Sequence, residues 1–457
     1  MASAADQMAA SLSLSNFSKA TELKKRLWFT LGALVVFRLL SFVPLPGIDP
    51  HALSTLFQQT HGGVLDFFNQ FSGGALHRMS LIALGVMPYI TASIVIQLAT
   101  SLMPQLEALK KEGESGRTKL NQYTRYLTVF LTVIQGWFIA VGLESWGGAN
   151  GVSAVVAPGL VFRVSTVISL VGGTMFLMWL GEQITSRGVG NGVSLIIMAG
   201  IVSQFPTVLG QLFESGRTGS VSPLTIILVL VAAFAMIAFM CFMEAATRKI
   251  LIQYPKRQTA RGMMQGDKSY LPLKINTANV IPPIFASSLL LMPLTVAQFL
   301  GKSVQQGHGI WNEVLITLTT SLQRGAPLYL LLYGAGIVFF TFFYTAVVFN
   351  PEETSDQLKK HGGFIPGIRP GKATGDYLDY VLTRITVVGA IYLTAICLIP
   401  EFAEKTFNLP TMALGGTSLL IVVNVTMDTV TQIQSHLLAH QYGDLMKKAK
   451  LRGGMRR

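Results

Sequence analysis

The segment VMPYITAS, at residues 86–93, interrupts a long apolar run with a proline and three polar side chains. A second segment, VIPPIFAS at 280–287, has the same residue at five of the eight positions. In membrane proteins built from internal repeats, spans interrupted by Pro or Gly at corresponding positions mark the functional path. The echo therefore predicts two related helices, and the rest of the sequence decides how they are oriented.

The composition indicates a polytopic membrane protein. Of the 457 residues, 51% are hydrophobic and 12% are charged, whereas an ordinary soluble domain has about 25% charged residues. A membrane-spanning helix needs roughly 20 apolar residues. Ten runs approach this length, and they predict an all-α protein with spans at 27–45, 79–101, 126–143, 161–181, 191–209, 222–243, 278–300, 327–350, 384–400 and 412–432.

The distribution of Lys and Arg predicts the orientation of the spans. Of the 35 basic residues, 28 lie before span one, after span ten or in the loops that follow even-numbered spans. By the positive-inside rule, both termini are cytoplasmic. Arg38 and Arg163 lie near the outer ends of spans, where we expect their side chains to snorkel. Spans two and seven then run in opposite directions, which predicts two inverted, pseudo-symmetric halves made of spans one to five and six to ten. The predicted divisions are a cytoplasmic segment 1–26, a first half 27–209, a second half 210–432 and a basic cytoplasmic tail 433–457.

Several classes of function are excluded. The longest loop, 244–276, has 33 residues, which leaves no room for a soluble catalytic domain, and no phosphate-binding loop is present. We therefore predict that the chain is not an enzyme and holds no cofactor or metal. His436 and His440 have no third ligand and are typical of a solvated tail helix. Cys241 and Cys397 fall near opposite membrane faces, so we expect no disulfide, and the mostly polar residues before span one predict no cleavable signal peptide.

Polar residues surround the echoed prolines, and each proline can bend its helix. Such residues serve either as hydrogen-bonding glue between helices or as a separable polar seam, and both interpretations stay open. The predicted lateral gate consists of Pro88, Thr91, Ser93, Gln97, Asn279, Pro282, Ser287 and Ser288.

Residues 62–76, GGVLDFFNQFSGGAL, precede span two and are bracketed by two Gly-Gly pairs. The segment is too short to span a membrane. It predicts a short re-entrant helix between glycine hinges or an interfacial helix, and the pattern alone does not separate these.

Motifs along the chain resemble the SecY family, the channel subunit of bacterial protein export. They include MPYITASI, KKEGESGR, GTMFLMWLGEQIT, RGVGNGVS, LPLKIN, VIPPIFASS, FFYTAVVFNPEE, GIRPG and GGTSLLI, and the resemblance covers roughly residues 20–452. It implies an hourglass channel in the bacterial cytoplasmic membrane that opens sideways between its halves. Residues 62–76 resemble the plug, with Gly62, Gly63, Asp66, Phe67, Phe68, Phe71, Gly73 and Gly74. The implied apolar pore ring is Val86, Ile90, Val193, Ile197, Ile284 and Ile421.

The resemblance also implies partners. They are the SecE and SecG subunits, the motor ATPase SecA, the ribosome, substrates with signal sequences, and membrane lipids, with ribosomal RNA contacted only through the ribosome. Docking is expected on loops 244–276 and 351–384 through Lys256, Arg257, Arg261, Lys359, Lys360 and Arg369. Gly262 stands where relatives often have a second arginine, which weakens the expected contact there.

Two other interpretations compete with a protein-conducting channel. A ten-span secondary transporter predicts charged or unwound elements at mid-membrane, whereas the span interiors contain almost no Asp, Glu, Lys or His. A scaffold or insertase without a pore gives no reason for a glycine-hinged plug.

Overall fold

The structure is a computed structural model that describes residues 21–49, 51–53, 69, 71–146, 155–219, 221–254, 258–259, 262–263, 268–290, 317, 321, 326–407 and 415–454. The described residues fall into two compact units. The first contains Met1–Thr207 and Ile421–Arg457, and the second contains Val208–Leu420.

Helices make up the first unit. They are α1 (Thr21–Leu40), α2 (Met87–Leu102), α3 (Pro104–Lys111), α4 (Glu114–Trp146), α5 (Leu160–Arg187), α6 (Gly192–Val202), the start of α7 (Phe205–Arg217), and most of α13 (Gly416–Gly454). The second unit has the rest of α7, α8 (Pro223–Ala245), strands β1 (Thr247–Gln253), β2 (Gln258–Thr259), β3 (Gly262–Met263) and β4 (Lys268–Lys274), then α9 (Ile281–Leu290), α10 (Pro327–Val348), α11 (Pro351–Lys360) and α12 (Lys372–Phe407).

Within the described residues, six helical segments are long and apolar enough to cross a membrane, and the pair α2 and α3, bent by 100°, adds a seventh if it counts as one span. The predicted runs 126–143, 161–181, 222–243, 327–350 and 384–400 lie inside or largely inside α4, α5, α8, α10 and α12. A lipid environment favours this outcome, because a helix satisfies its own backbone hydrogen bonds. The run 191–209 is divided between α6 and α7.

Span two begins later than predicted. Helix α2 starts at Met87, and residues 72–79 and 81–86 form turns instead of helix. Tertiary hydrogen bonds set this conformation, since Leu81 N donates to the carbonyl of Val43 at 2.9 Å and Leu45 N donates to the carbonyl of Met79 at 2.9 Å. The apolar character of residues 79–86 thus reflects burial in the protein and not a membrane-spanning helix.

The loop 244–276 contains a β-hairpin, which the all-α prediction did not include. Strands β1 and β4 pair antiparallel from Thr247 opposite Lys274 to Gln253 opposite Lys268. Apolar side chains at Ile250 and Ile252 alternate with more exposed neighbours, as expected for a strand with one buried face.

The hairpin is joined to the other predicted docking loop. Gln253 N donates to the carbonyl of Phe364 at 2.9 Å, and Phe364 N donates to the carbonyl of Gln253 at 3.0 Å. One hydrophobic cluster then contains buried residues from the hairpin, from the loop after α11 and from α12, namely Ile250, Leu273, Ile365 and Leu378. The loops 244–276 and 351–384 therefore share one core.

The glycine-rich turn RGVGNG connects α5 to α6. Asn191 caps α6, and its side-chain oxygen accepts from Val193 N at 3.2 Å. A Cβ on Gly192 would collide with the carbonyl of Gly181, so the two helices meet backbone to backbone. Close packing and a tight turn explain these glycines.

Candidate functional site

Each of the two similar segments, 86–93 and 280–287, contains the first turn of a helix. Pro88 and Pro282 are each the second residue of their helices, α2 and α9. An N–H in the first turn has no intrahelical partner, so proline is tolerated there without a bend. The prediction that these prolines bend their helices was therefore wrong.

The residue three positions before each proline has the same backbone conformation. Gly85 has φ +58° and Asn279 has φ +54°. This left-handed region is open to glycine, and asparagine adopts it more readily than most residues. The repeat therefore extends beyond the echoed letters to a shared turn, a left-handed residue followed by Val, an apolar residue and Pro.

Five members of the predicted pore ring belong to the first unit, and Ile284 belongs to the second. Val86, Ile197 and Ile421 are buried, and Ile90, Val193 and Ile284 are partly exposed. The side chain of Val193 lies beside Gly181 on α5, where a Cβ would approach it to 3.1 Å. The ring itself stays a prediction.

The predicted plug is described at Asn69 and from Phe71 onward, and Gly62, Gly63, Asp66, Phe67 and Phe68 lie outside the described residues. Its C-terminal part is tied to its surroundings by Asn69. The carbonyl of Asn69 accepts from the Gln204 side chain at 2.9 Å, and its Oδ1 accepts from His77 N at 3.0 Å. The side chain of Phe71 is buried.

Two arginines converge on the second glycine pair of the predicted plug. Arg38 Nη1 donates to the carbonyl of Gly73 at 2.8 Å and to Ser203 Oγ at 3.2 Å. Arg78 Nη2 donates to the same carbonyl at 3.1 Å. Both guanidiniums lie over the ring of Phe42, at 4.9 and 4.3 Å from its centre. Burial lowers the pKa of Arg78 from its ordinary value, and the neighbouring charge of Arg38 lowers it further.

We call the group Arg38, Arg78, Gly73, Gly200 and Ser203 the plug anchor. A Cβ on Gly200 would lie 2.7 Å from the carbonyl of Phe71 and 3.3 Å from Gly73 N. Gly73 itself has φ +68°. The backbone of the predicted plug at Gly73 therefore packs directly on α6, at a point where only glycine fits.

We predicted that Arg38 and Arg163 snorkel toward the membrane surface, and that interpretation was incomplete. Arg38 belongs to the plug anchor, and Arg163 Nη2 forms an ion pair with Glu144 at 2.6 Å. The carboxylate of Glu144 also accepts from Gly159 N at 2.9 Å. An arginine inside an apolar run indicates that a polar partner is nearby, but the spacing of residues in the sequence does not identify that partner.

The predicted gate residues on α2 bond within their own helix. Thr91 Oγ1 donates to the carbonyl of Met87 at 3.1 Å, and the Gln97 side chain donates to Ser93 Oγ at 3.3 Å. Pro88 is buried. None of these contacts ties α2 to another helix.

The predicted gate residues at α9 differ from one another. Ser287 Oγ donates to the carbonyl of Ile284 at 2.9 Å. The buried Asn279 Oδ1 and Ser288 Oγ have no hydrogen-bond partner in the described part of the chain. Pro282 is buried.

Helix α9 is held on one side by α10. A Cβ on Gly336 would lie 3.1 Å from the Cβ of Ala286, and the Phe285 ring meets the edge of Phe340 at 5.6 Å. These contacts hold the apolar face of α9 within the second unit.

Three predicted docking cations are exposed. Lys359 and Lys360 end α11, and Arg369 follows in the loop. The carbonyl of Arg369 accepts from Thr374 Oγ1 at 2.9 Å. This bond holds the backbone of the loop and leaves the guanidinium exposed. Lys256, Arg257 and Arg261 lie outside the described residues.

Comparisons with known proteins point in one direction. A family model described as SecY matches residues 80–430. The protein translocase subunit SecY of Vibrio cholerae is 52% identical over 436 residues, which cover 95% of this chain and 96% of that protein.

Two solved structures share the fold. One is a SecY protein whose plug domain is described as stabilising the closed state of the translocation channel, with a TM-score of 0.63, 17% identity, and coverage of 91% of this chain and 92% of that one. The other is Sec61 in a canine ribosome–channel complex, with a TM-score of 0.59, 16% identity, and the same coverage of both chains.

Proposed function

This chain belongs to the SecY family of protein translocase subunits, and on that premise we propose how its residues conduct proteins. The chain is a multi-pass membrane protein and a protein-conducting channel, and a small-solute transporter is not supported. The observation that carries the proposal is the match over nearly its whole length to translocase subunits. We infer that energy for transport comes from a partner and that the chain catalyses no reaction itself.

Val86, Ile90, Val193, Ile197, Ile284 and Ile421 form the proposed constriction. A narrow ring of aliphatic side chains resists the passage of ions by dewetting. It also makes no strong bond to a passing chain, so it tolerates any side chain. The left-handed turns before α2 and α9 support the assignment, because they place Val86, Ile90 and Ile284 within the first turn of each helix or at its edge.

Residues 62–76 are the proposed plug, and the plug anchor is the contact that holds its end in the closed channel. Hydrogen bonds from Arg38 of α1 to Gly73, and from Gln204 between α6 and α7 to Asn69, hold this end in place. The interpretation as a plug is favoured over an interfacial helix because Gly73 packs on Gly200 of α6 within the protein.

Helices α2 and α9 are the proposed sides of the lateral gate. Asn279 Oδ1 and Ser288 Oγ have no hydrogen-bond partner among the described residues, which supports the interpretation as a separable seam. A substrate segment leaves sideways when lipid favours it. Central Leu or Ile contributes about −0.3 to −0.6 kcal/mol to insertion, whereas Asp or Arg opposes it by roughly 2.5–3.5 kcal/mol.

The second-half loops are the proposed docking surface for the motor ATPase SecA and for ribosomes. Their shared core supports this assignment, since a rigid support suits a surface that receives force. SecE and SecG are the proposed companion subunits. We place the chain in the bacterial cytoplasmic membrane, with both termini inside, on the distribution of its Lys and Arg residues.

A stalled substrate tests the proposal. A secretory precursor is stalled in transit through the channel. A cysteine introduced into the channel at Phe67 should then crosslink to the precursor, and so should a cysteine at Ile90. A cysteine at Val231, which is 63% exposed on the apolar α8, is the matched control and should not react. Equal labelling at all three positions, or none at Phe67 and Ile90, would reject the path.

A further inference from the structure

A buried carboxylate and amide close the base of the hairpin. Glu244 lies at the end of α8, and Asn276 follows β4 by two residues. Their exposed fractions are 7% and 2%. Asn276 Nδ2 donates to Glu244 Oε1 at 2.6 Å and to the carbonyl of Asn279 at 3.1 Å. One amide group therefore joins the end of α8 to the turn that starts α9.

That turn needs support. Asn279 holds φ +54°, which is an uncommon conformation for a residue with a side chain. Gly85 occupies the equivalent position in the first half without a steric cost. In the second half, the bond from Asn276 fixes the carbonyl of the strained residue itself. The two halves thus reach the same turn by different means.

The same segment is packed against α12. A Cβ on Gly389 would lie 2.8 Å from the carbonyl of Ile275, so the chain passes directly over the helix backbone. Ile275 N also donates to the carbonyl of Ala246 at 3.2 Å, which extends the pairing of β1 and β4. The hairpin, α8, α12 and the start of α9 consequently meet within a few residues.

We propose that Glu244 and Asn276 are positioning residues that set the start of α9 and link it to the hairpin. Removal of the Glu244 carboxylate would leave the buried Asn276 donor with one partner fewer and loosen the turn at Asn279. A force on the hairpin would reach α9 through this pair. The inference rests on the proposed role of α9 in the lateral gate.

The test measures amide hydrogen exchange across residues 277–284 in the full-length chain, purified with its companion subunits in lipid nanodiscs. Glu244→Ala and Asn276→Ala should exchange roughly tenfold faster or more, because a hydrogen bond to a charged group is lost. Glu244→Gln keeps an acceptor oxygen and should stay close to the parent. Glu401→Ala removes another buried carboxylate of the second unit and should not alter these amides. Exchange in Glu244→Ala equal to that of the parent would overturn the inference, as would an equal rise in Glu401→Ala.

A second readout concerns the gate. Export of a precursor with a defective signal sequence should rise in Glu244→Ala and not in Glu244→Gln. Faster exchange with unchanged export would overturn the link from the turn to the gate. Failure of the parent chain to export an intact precursor is a separate result, and it would count against the proposed function.

Discussion

The replacement Gly200→Ala tests the plug anchor most directly. Its Cβ would lie 2.7 Å from the carbonyl of Phe71, well inside an ordinary contact. Overpacking of this kind typically costs about 1–3 kcal/mol. This free-energy cost applies only to the state in which the plug is packed on α6, which we call seated. A plug that has left α6 no longer contacts the added methyl group. The ratio of unseated to seated plug should therefore rise roughly 5- to 150-fold, at about 1.4 kcal/mol per tenfold.

Gly172→Ala is the matched control. Gly172 lies in α5, and no atom comes within 4 Å of its added Cβ. Both replacements gain about the same helix propensity, roughly 1 kcal/mol, so that contribution cancels in the comparison.

The assay is ion conductance of the purified channel in planar bilayers without substrate. Gly200→Ala should leak more than the parent, and Gly172→Ala should match the parent. Equal conductance of the two variants would refute the reasoning, provided that both retain the thermal stability of the parent.

Three further predictions concern the other parts of the site. Arg38→Ala should also raise resting conductance, because the carbonyl of Gly73 loses a charged donor worth about 1.5–3 kcal/mol; parental conductance would contradict this. Ile90→Asn should increase export of precursors with defective signals, and no change in export or ion leak would count against the pore ring. Leu378→Ala removes a buried side chain beneath the hairpin and should destabilise that region by about 2–5 kcal/mol. Protection of the hairpin amides from exchange measures this, and undiminished protection would show that the cluster does not support the strands.

Most of the membrane-spanning helices could be predicted because lipid imposes a simple rule on the sequence. Runs such as 126–143 and 222–243 are long and apolar, and helix is the structure that satisfies their backbone in lipid. The same rule failed at residues 79–86, where the apolar side chains are buried among neighbouring segments. Both kinds of stretch are apolar, and tertiary bonds such as Leu81 N to the Val43 carbonyl distinguish them.

Proline was ambiguous for a related reason. Pro88 and Pro282 are compatible with a bend in the middle of a helix or with its first turn. The choice depends on where the helix begins, which is set by the left-handed residues Gly85 and Asn279. Gly85 could have indicated a left-handed turn before α2 from the sequence alone. Asn279 could not, because its conformation is supported by the hydrogen bond from Asn276, which the sequence does not reveal.

The β-hairpin was within reach of the sequence. The stretch TRKILIQ at 247–253 contains three β-branched residues, as strands often do. The polar contacts of the plug anchor could not be predicted, because Arg38, Gly73 and Ser203 are far apart in the chain and meet only in the folded protein.

The core shared by the two second-half loops has a consequence for exchanging parts between relatives. Ile250 and Leu273 come from one loop, and Ile365 and Leu378 come from the other loop and its following helix. A chimera that takes only residues 244–276 from a distant relative would combine two halves of a core that were not selected together. A chimera that takes both loops with the first turns of α12 would move the complete core, and the pair should be treated as one transferable cassette.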